Sequence, residues 1–133
     1  MAEEILKFTK LTFVIHFITG LIFTILFWLP EIAGPIYGFS YTAELGAVTM
    51  TLGAAFVGLT IGSLLSIFAK EWKEIRIMVL VECFLLVANL IATTINIATY
   101  NAMGIVTMVI VIILLALFAL TFLQQEDKIK PLF

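Results

Sequence analysis

The sequence predicts an all-α polytopic membrane protein, a bundle of four transmembrane helices forming one domain over residues 1–133. Three observations lead there. The chain is 63% hydrophobic and only 12% charged, where soluble proteins average about 45–50% apolar and about 25% charged residues. Its mean hydropathy is +1.23. Its apolar residues fall into four stretches, each near the ~20 residues that a helix needs to cross a ~30 Å hydrocarbon layer. A single water-soluble core cannot absorb so much apolar side chain. A soluble enzyme domain and a disordered chain are therefore excluded.

The first span is 11–29, between Lys10 and Pro30. Its apolar run exceeds the ~7–15 residues of a signal peptide, and Pro30-Glu31-Ile32-Ala33 is a poor cleavage site, so it reads as a retained helix. The second span, 45–69, lies between Glu44 and Lys70. The third, 77–99, follows Arg76, and the fourth, 104–123, precedes Gln124-Gln125-Glu126-Asp127-Lys128. Each is expected to be helix, because an isolated strand in lipid leaves its backbone groups unsatisfied.

Charge predicts orientation. Lys7 and Lys10 precede span one, Lys70, Lys73 and Arg76 separate spans two and three, and Lys128 and Lys130 follow span four. All seven basic residues thus fall on one side, which the positive-inside rule makes cytoplasmic. Both termini are then expected inside, in a cell membrane. Trp28, Tyr37, Phe39, Tyr41 and Tyr100 would mark the outer interface. So one-sided a bias argues for a single orientation and, in any assembly, for parallel copies.

Span two carries two small-residue faces. Gly46 and Gly53 share one with Thr49 and Thr60; Ala47, Ala54, Gly58 and Gly62 form the other. Small residues let helix backbones approach closely in lipid, so both faces are expected to touch neighbours, within the chain or across a dimer.

Span three carries a polar stripe. Glu82, Asn89 and Asn96 recur every seven residues, with Thr93 beside them, and drift only ~20° per step around a helix. The stripe reads either as interhelical hydrogen bonding or as the lining of a ligand or ion path. An intramembrane acid costs ~2.5–3.5 kcal/mol on insertion scales, which singles out Glu82. His16, on the Thr12, Thr19 and Gly20 face of span one, lies five residues past Leu11, as Glu82 lies five past Ile77. Their matched depth, about 7–8 Å from the cytoplasmic side, permits a pair that is either structural or a proton or ligand site.

Glu44 opens span two, where the helix dipole favours an acid; with Tyr41, Asn96 and Asn101 it could line an outer polar vestibule. Span four, nearly free of polar residues from Met108 to Leu120, reads as a lipid-facing wall, and Cys83 as an apolar filler.

Leu52-Gly53-Ala54-Ala55-Phe56-Val57-Gly58-Leu59 with Gly62-Ser63, together with a first helix ending at Pro30-Glu31, resembles DoxX-like small four-helix membrane proteins. The likeness covers about half the chain. The Arg that often precedes the Gly-Ala run in that family is replaced here by a stretch holding Thr49 and Thr51. The resemblance implies the fold more than an activity.

These features narrow the function. One cysteine rules out an internal disulfide and a CxxC redox pair, and one histidine rules out a bis-His haem within the chain. A net charge of −2 leaves no footprint for nucleic acid. No nucleophile constellation or metal cluster is visible, so no cofactor is expected. The leading expectation is a non-enzymatic module that binds a small apolar ligand or lipid, or an accessory subunit of a membrane complex. The alternative is a transporter or channel, built as a parallel homo-oligomer around Glu82, His16 and the Asn stripe.

Overall fold

The structure, a computed structural model, describes residues 4–129. It is all-α: α1 (Lys7–Trp28), α2 (Pro30–Tyr37), α3 (Ala43–Phe68), α4 (Trp72–Ile95) and α5 (Ala102–Ile129), with a 3-10 turn at Ile97–Thr99. Four of these helices, α1, α3, α4 and α5, are long and apolar enough to cross a membrane. Side chains such as Leu65, Phe68, Ile77, Phe84 and Ile95 are exposed on the outside of the bundle, as a lipid-facing surface requires.

Local chemistry sets the breaks. Leu29 precedes Pro30, and the proline ring keeps Leu29 out of the helical region (φ −115°, ψ 66°). Pro30 then opens α2, where its missing N–H costs nothing. The first helix thus ends before Pro30-Glu31 as expected, and the segment that follows forms a further helix of eight residues. Gly38, at φ +84°, ends α2 in a left-handed conformation open to glycine. Thr42 caps α3 by accepting from the Leu45 N–H at 3.1 Å. Glu71 and Glu74 form a capping box at the start of α4, and the Glu74 carboxylate also accepts from the Lys70 N–H at 2.8 Å.

These caps correct the expected boundaries. α4 begins at Trp72, not Ile77, so Lys73 and Arg76 belong to the helix and only Ala69-Lys70-Glu71 joins α3 to α4. It stops at Ile95, leaving Asn96 outside. α5 runs on through the polar Gln124–Lys128 segment. Lys130, counted among the basic residues, lies outside the described residues.

The bundle is built as two intimate pairs, α1 with α3 and α4 with α5. α1 also reaches α5, whereas α3 and α4 barely touch despite their short connection. Glu4, the end of α5 and the α3–α4 loop lie at one end of the bundle, and α2 with the α4–α5 connection at the other. The central core joins Phe13 of α1, Trp72, Ile75, Val79 and Leu86 of α4, and Val111, Leu114 and Phe118 of α5. α5 is thus only half a lipid wall: one face is core, and it continues into the buried Thr121 and Gln125.

The two faces of α3 differ in the same way. Gly46 and Gly53 are buried, and a Cβ on Gly53 would strike the Trp28 ring of α1. Gly20 of α1 answers from the other side, where an added Cβ would lie 2.6 Å from Thr60 Oγ1. On the second face Ala47, Ala54 and Gly58 are exposed, and a Cβ on Gly58 would meet nothing within 4 Å. Gly62 alone of that set meets a neighbour, Met78 of α4. The expectation of contact on both faces therefore fails within one chain, because the second face points out of the bundle.

A cavity under α2 and a buried His–Glu pair

A cavity of about 200 Å³ opens at the α2 end of the bundle. Phe27, Tyr37, Leu52 and Tyr100 supply apolar wall, and Thr49, Asn89, Thr93 and Thr107 supply hydroxyl and amide groups. No charged side chain lines it among the described residues. A second, smaller cavity of about 70 Å³ lies deeper and shares Phe27, Leu52, Asn89 and Thr107 with the first. His16 stands in its wall. The two spaces thus run in series from the α2 end towards the middle of the bundle.

The upper walls are fixed by hydrogen bonds. Tyr37 Oη and Thr107 Oγ1 lie 2.8 Å apart and join α2 to α5 across the cavity. Burial pushes the Tyr37 phenol above its ordinary value, so it is a neutral hydroxyl at neutral pH. The Asn101 amide donates to the Ile36 carbonyl at 2.8 Å and ties the start of α5 to the end of α2. Phe23, Phe27 and Phe56 stack between α1 and α3, with Phe27–Phe56 centroids 5.4 Å apart.

At the inner end His16 and Glu82 meet. His16 Nε2 lies 3.4 Å from Glu82 Oε2, and Glu82 is fully buried. That separation is an ion-pair distance without hydrogen-bond alignment, and neither Glu82 oxygen accepts a hydrogen bond from a described residue. His16 Nδ1 lies 2.6 Å from Ser63 Oγ of α3. Its ring packs edge-on against Phe118 of α5, with centroids 5.1 Å apart. Both helices start earlier than the apolar runs, so His16 and Glu82 lie about 14–15 Å along their helices from the starts at Lys7 and Trp72.

The remaining sequence candidates separate. Asn89 lines both cavities and accepts from Thr93 Oγ1 at 3.3 Å. Asn96 leaves the stripe: the helix ends before it, it is exposed, and its amide donates to the Ala92 carbonyl at 2.8 Å. Glu44 is an exposed first-turn residue of α3, away from the cavity lining. The expected outer vestibule of Glu44, Tyr41, Asn96 and Asn101 therefore gives way to one formed by Tyr37, Thr49, Thr93 and Thr107.

Sequence reasoning missed Ser63 and the cluster where Glu4 and Leu6 meet the last turns of α5. Gln125 is fully buried: its Oε1 accepts from the Leu6 N–H at 3.0 Å and Thr9 Oγ1 at 3.3 Å, and its Nε2 donates to the Glu4 carbonyl at 3.0 Å. Thr121 donates to Thr12 at 3.0 Å. Beside it, Glu126 accepts from Arg76 and from Trp72 Nε1 at 2.8 Å. The spacings Thr9–Thr12–His16, Thr60–Ser63–Ser66 and Thr121–Gln125 each put polar groups on one helix face and carried the signal. No family model, curated protein or solved structure matches this chain.

Proposed function

We propose that this chain is a non-enzymatic membrane module that binds one small neutral amphiphile, or a short segment of a lipid chain, in the cavity beneath α2. The cavity itself carries the reading: about 200 Å³ of space with apolar walls and a few uncharged hydrogen-bonding groups. An apolar void of about 150 Å³ accepts a benzene ring, so this space suits a single ring or a few methylenes. The uncharged lining disfavours an ionic ligand, whose desolvation nothing there would offset.

A carrier or channel is the second reading, favoured by the two cavities that share walls. Beneath His16, however, Phe13 and Phe118 are fully buried, and Thr12, Thr121 and Gln125 fill the next layer. The path ends blind within one chain, which favours binding over conduction. The exposed Gly58 face offers a place for a larger complex or a second copy to pack. The likeness to DoxX-like proteins belongs to this reading as a proposal about ancestry, as does the placing of both termini on the cytoplasmic side of a cell membrane.

Native mass spectrometry of protein released from gentle detergent tests the reading. Wild-type protein should retain a small apolar adduct, and Thr49→Phe, which fills the cavity, should lose it without a lower melting temperature. Thr49 donates only to the Leu45 carbonyl within its own helix, so its hydroxyl is dispensable. Identical adduct patterns in the two proteins would remove the cavity from the account.

A further inference from the structure

We propose that Ser63, His16 and Glu82 form a proton-exchange centre that communicates with the α2 end of the bundle through the two cavities. The idea rests on the cavity of the preceding section but not on its having a particular ligand.

Geometry carries the inference. His16 stands in the wall of the inner cavity, and Glu82 lies behind it, fully buried. Both Glu82 oxygens lack a hydrogen-bond donor among the described residues, which is rare for a buried carboxyl and calls for an explanation. The His16 ring bridges Ser63 Oγ at 2.6 Å and Glu82 Oε2 at 3.4 Å, so each ring nitrogen faces one partner. From His16 outward, Thr107 and Asn89 border both cavities, and Tyr37 and Thr93 border the outer one. Those hydroxyls and amides can hold water in file where a purely apolar tube would stay dry.

The surroundings isolate the pair. α1 contributes only His16 to it, α3 contributes the uncharged Ser63, α4 contributes Glu82 with Cys83 next in sequence, and α5 presents Phe118. Among the described residues the next charges on α4 and α5 are Arg76 and Glu126, which bond each other between the start of α4 and the end of α5. With no third charge nearby, low dielectric favours a pair with no net charge. Two arrangements satisfy this with the same proton: a neutral carboxyl beside neutral imidazole, or carboxylate beside imidazolium. In the first, Glu82 holds the proton and Nδ1–H donates to Ser63. In the second, Nε2–H points at the Glu82 carboxylate. Passing the proton between them needs only its movement across the 3.4 Å gap, while the Ser63 hydroxyl rotates if the free tautomer demands it. Exchange with bulk water goes through the His16 edge that lines the cavity. Because the path ends blind below, proton entry and exit use the α2 end.

The chain contains one histidine, so a ring-labelled sample reports this site alone. Histidine 15N spectra of the full chain in lipid nanodiscs, recorded from about pH 4 to 9, should show His16 leaving the net-neutral arrangement as the pair gains a proton from the cavity water or loses one to it. Glu82→Gln should move the midpoint by about one pH unit or more, a tenfold change in proton affinity. Thr107→Phe should slow exchange of the His16 ring proton with water about tenfold, leaving that midpoint near wild type, since it narrows the path without touching the pair. Asn89→Leu provides the same test if Thr107→Phe does not fold. A His16 signal constant across the range, or one whose midpoint ignores Glu82→Gln, overturns the centre. Exchange unaffected by a folded path variant overturns the route. Adduct retention with either of these results would leave the ligand cavity standing and this proposal refuted.

Discussion

His16 was singled out by rarity and depth, and Glu82 by the cost of an acid in lipid; the structure puts them in contact. Their partner Ser63 escaped notice because a serine in a membrane helix ordinarily bonds back to its own carbonyls, as Ser66 does to Gly62 at 2.8 Å. Contact implies coupling. His16→Leu leaves a buried carboxyl without its ion-pair partner, and Glu82→Leu leaves an imidazole without its own. The two losses should not add: a double-mutant cycle on detergent melting should give an interaction of about 0.5–3 kcal/mol. Additive losses would show that the pair contributes nothing. Gln125 makes a second case. In the sequence it belongs to the polar run after the last span, and no local pattern shows that Glu4 and Leu6 come to meet it. Gln125→Leu strands the Leu6 N–H, while the Glu4 carbonyl keeps Lys128 Nζ at 3.3 Å, and should cost about 1–3 kcal/mol in the same melting assay. Gln124→Leu, at an exposed neighbour, should cost far less.

Helices were legible as apolar runs, but their ends were not. Hydropathy finds where side chains leave the apolar range. Caps decide where hydrogen bonding stops, and the Glu71–Glu74 box lies upstream of the apolar run of α4. The short helix α2 lies between the apolar runs, where no hydropathy signal marks it, and Pro30 stands at its start. Which glycine faces which neighbour was also beyond the pattern, since spacing groups residues by face without telling which face is covered. The structure separates them. Gly53→Leu should cost several kcal/mol or abolish the fold, because the new side chain must displace Trp28 and Phe27. Gly58→Leu should change the melting temperature little, within about 0.5 kcal/mol, as an exposed position does. If Gly58→Leu instead lowers the apparent mass in size-exclusion chromatography with the melt unchanged, that face packs against a second copy.

At the scale of the whole molecule, class and span number were written in composition, while pairing was not. Sequential order would make α3 and α4 partners, yet α1 takes α3 and α5 takes α4. The membrane topology has a direct test. Single cysteines at Ser40 and Thr99, both exposed, should label from one side of intact cells in a Cys83→Ser background. Cysteines at Lys70 and Lys128 should label only after the membrane is opened. Ser40 serves better than Gly38, whose φ of +84° would strain any replacement. Labelling of all four positions from outside would contradict four spans.

The clasp between the first and last helices has a consequence for biosynthesis. Thr12 waits for Thr121, 109 residues later, and the Leu6 N–H waits for Gln125, 119 residues later. At about 5–20 residues per second, the ribosome needs about 5–20 s to supply the distant partner. Through that interval α1 sits in the bilayer with Thr9, Thr12 and His16 along one face, and only His16 can find its α3 partner before α5 emerges. A nascent chain halted before α5 therefore displays Thr9 and Thr12 to lipid, and the arrival of Thr121 and Gln125 covers them.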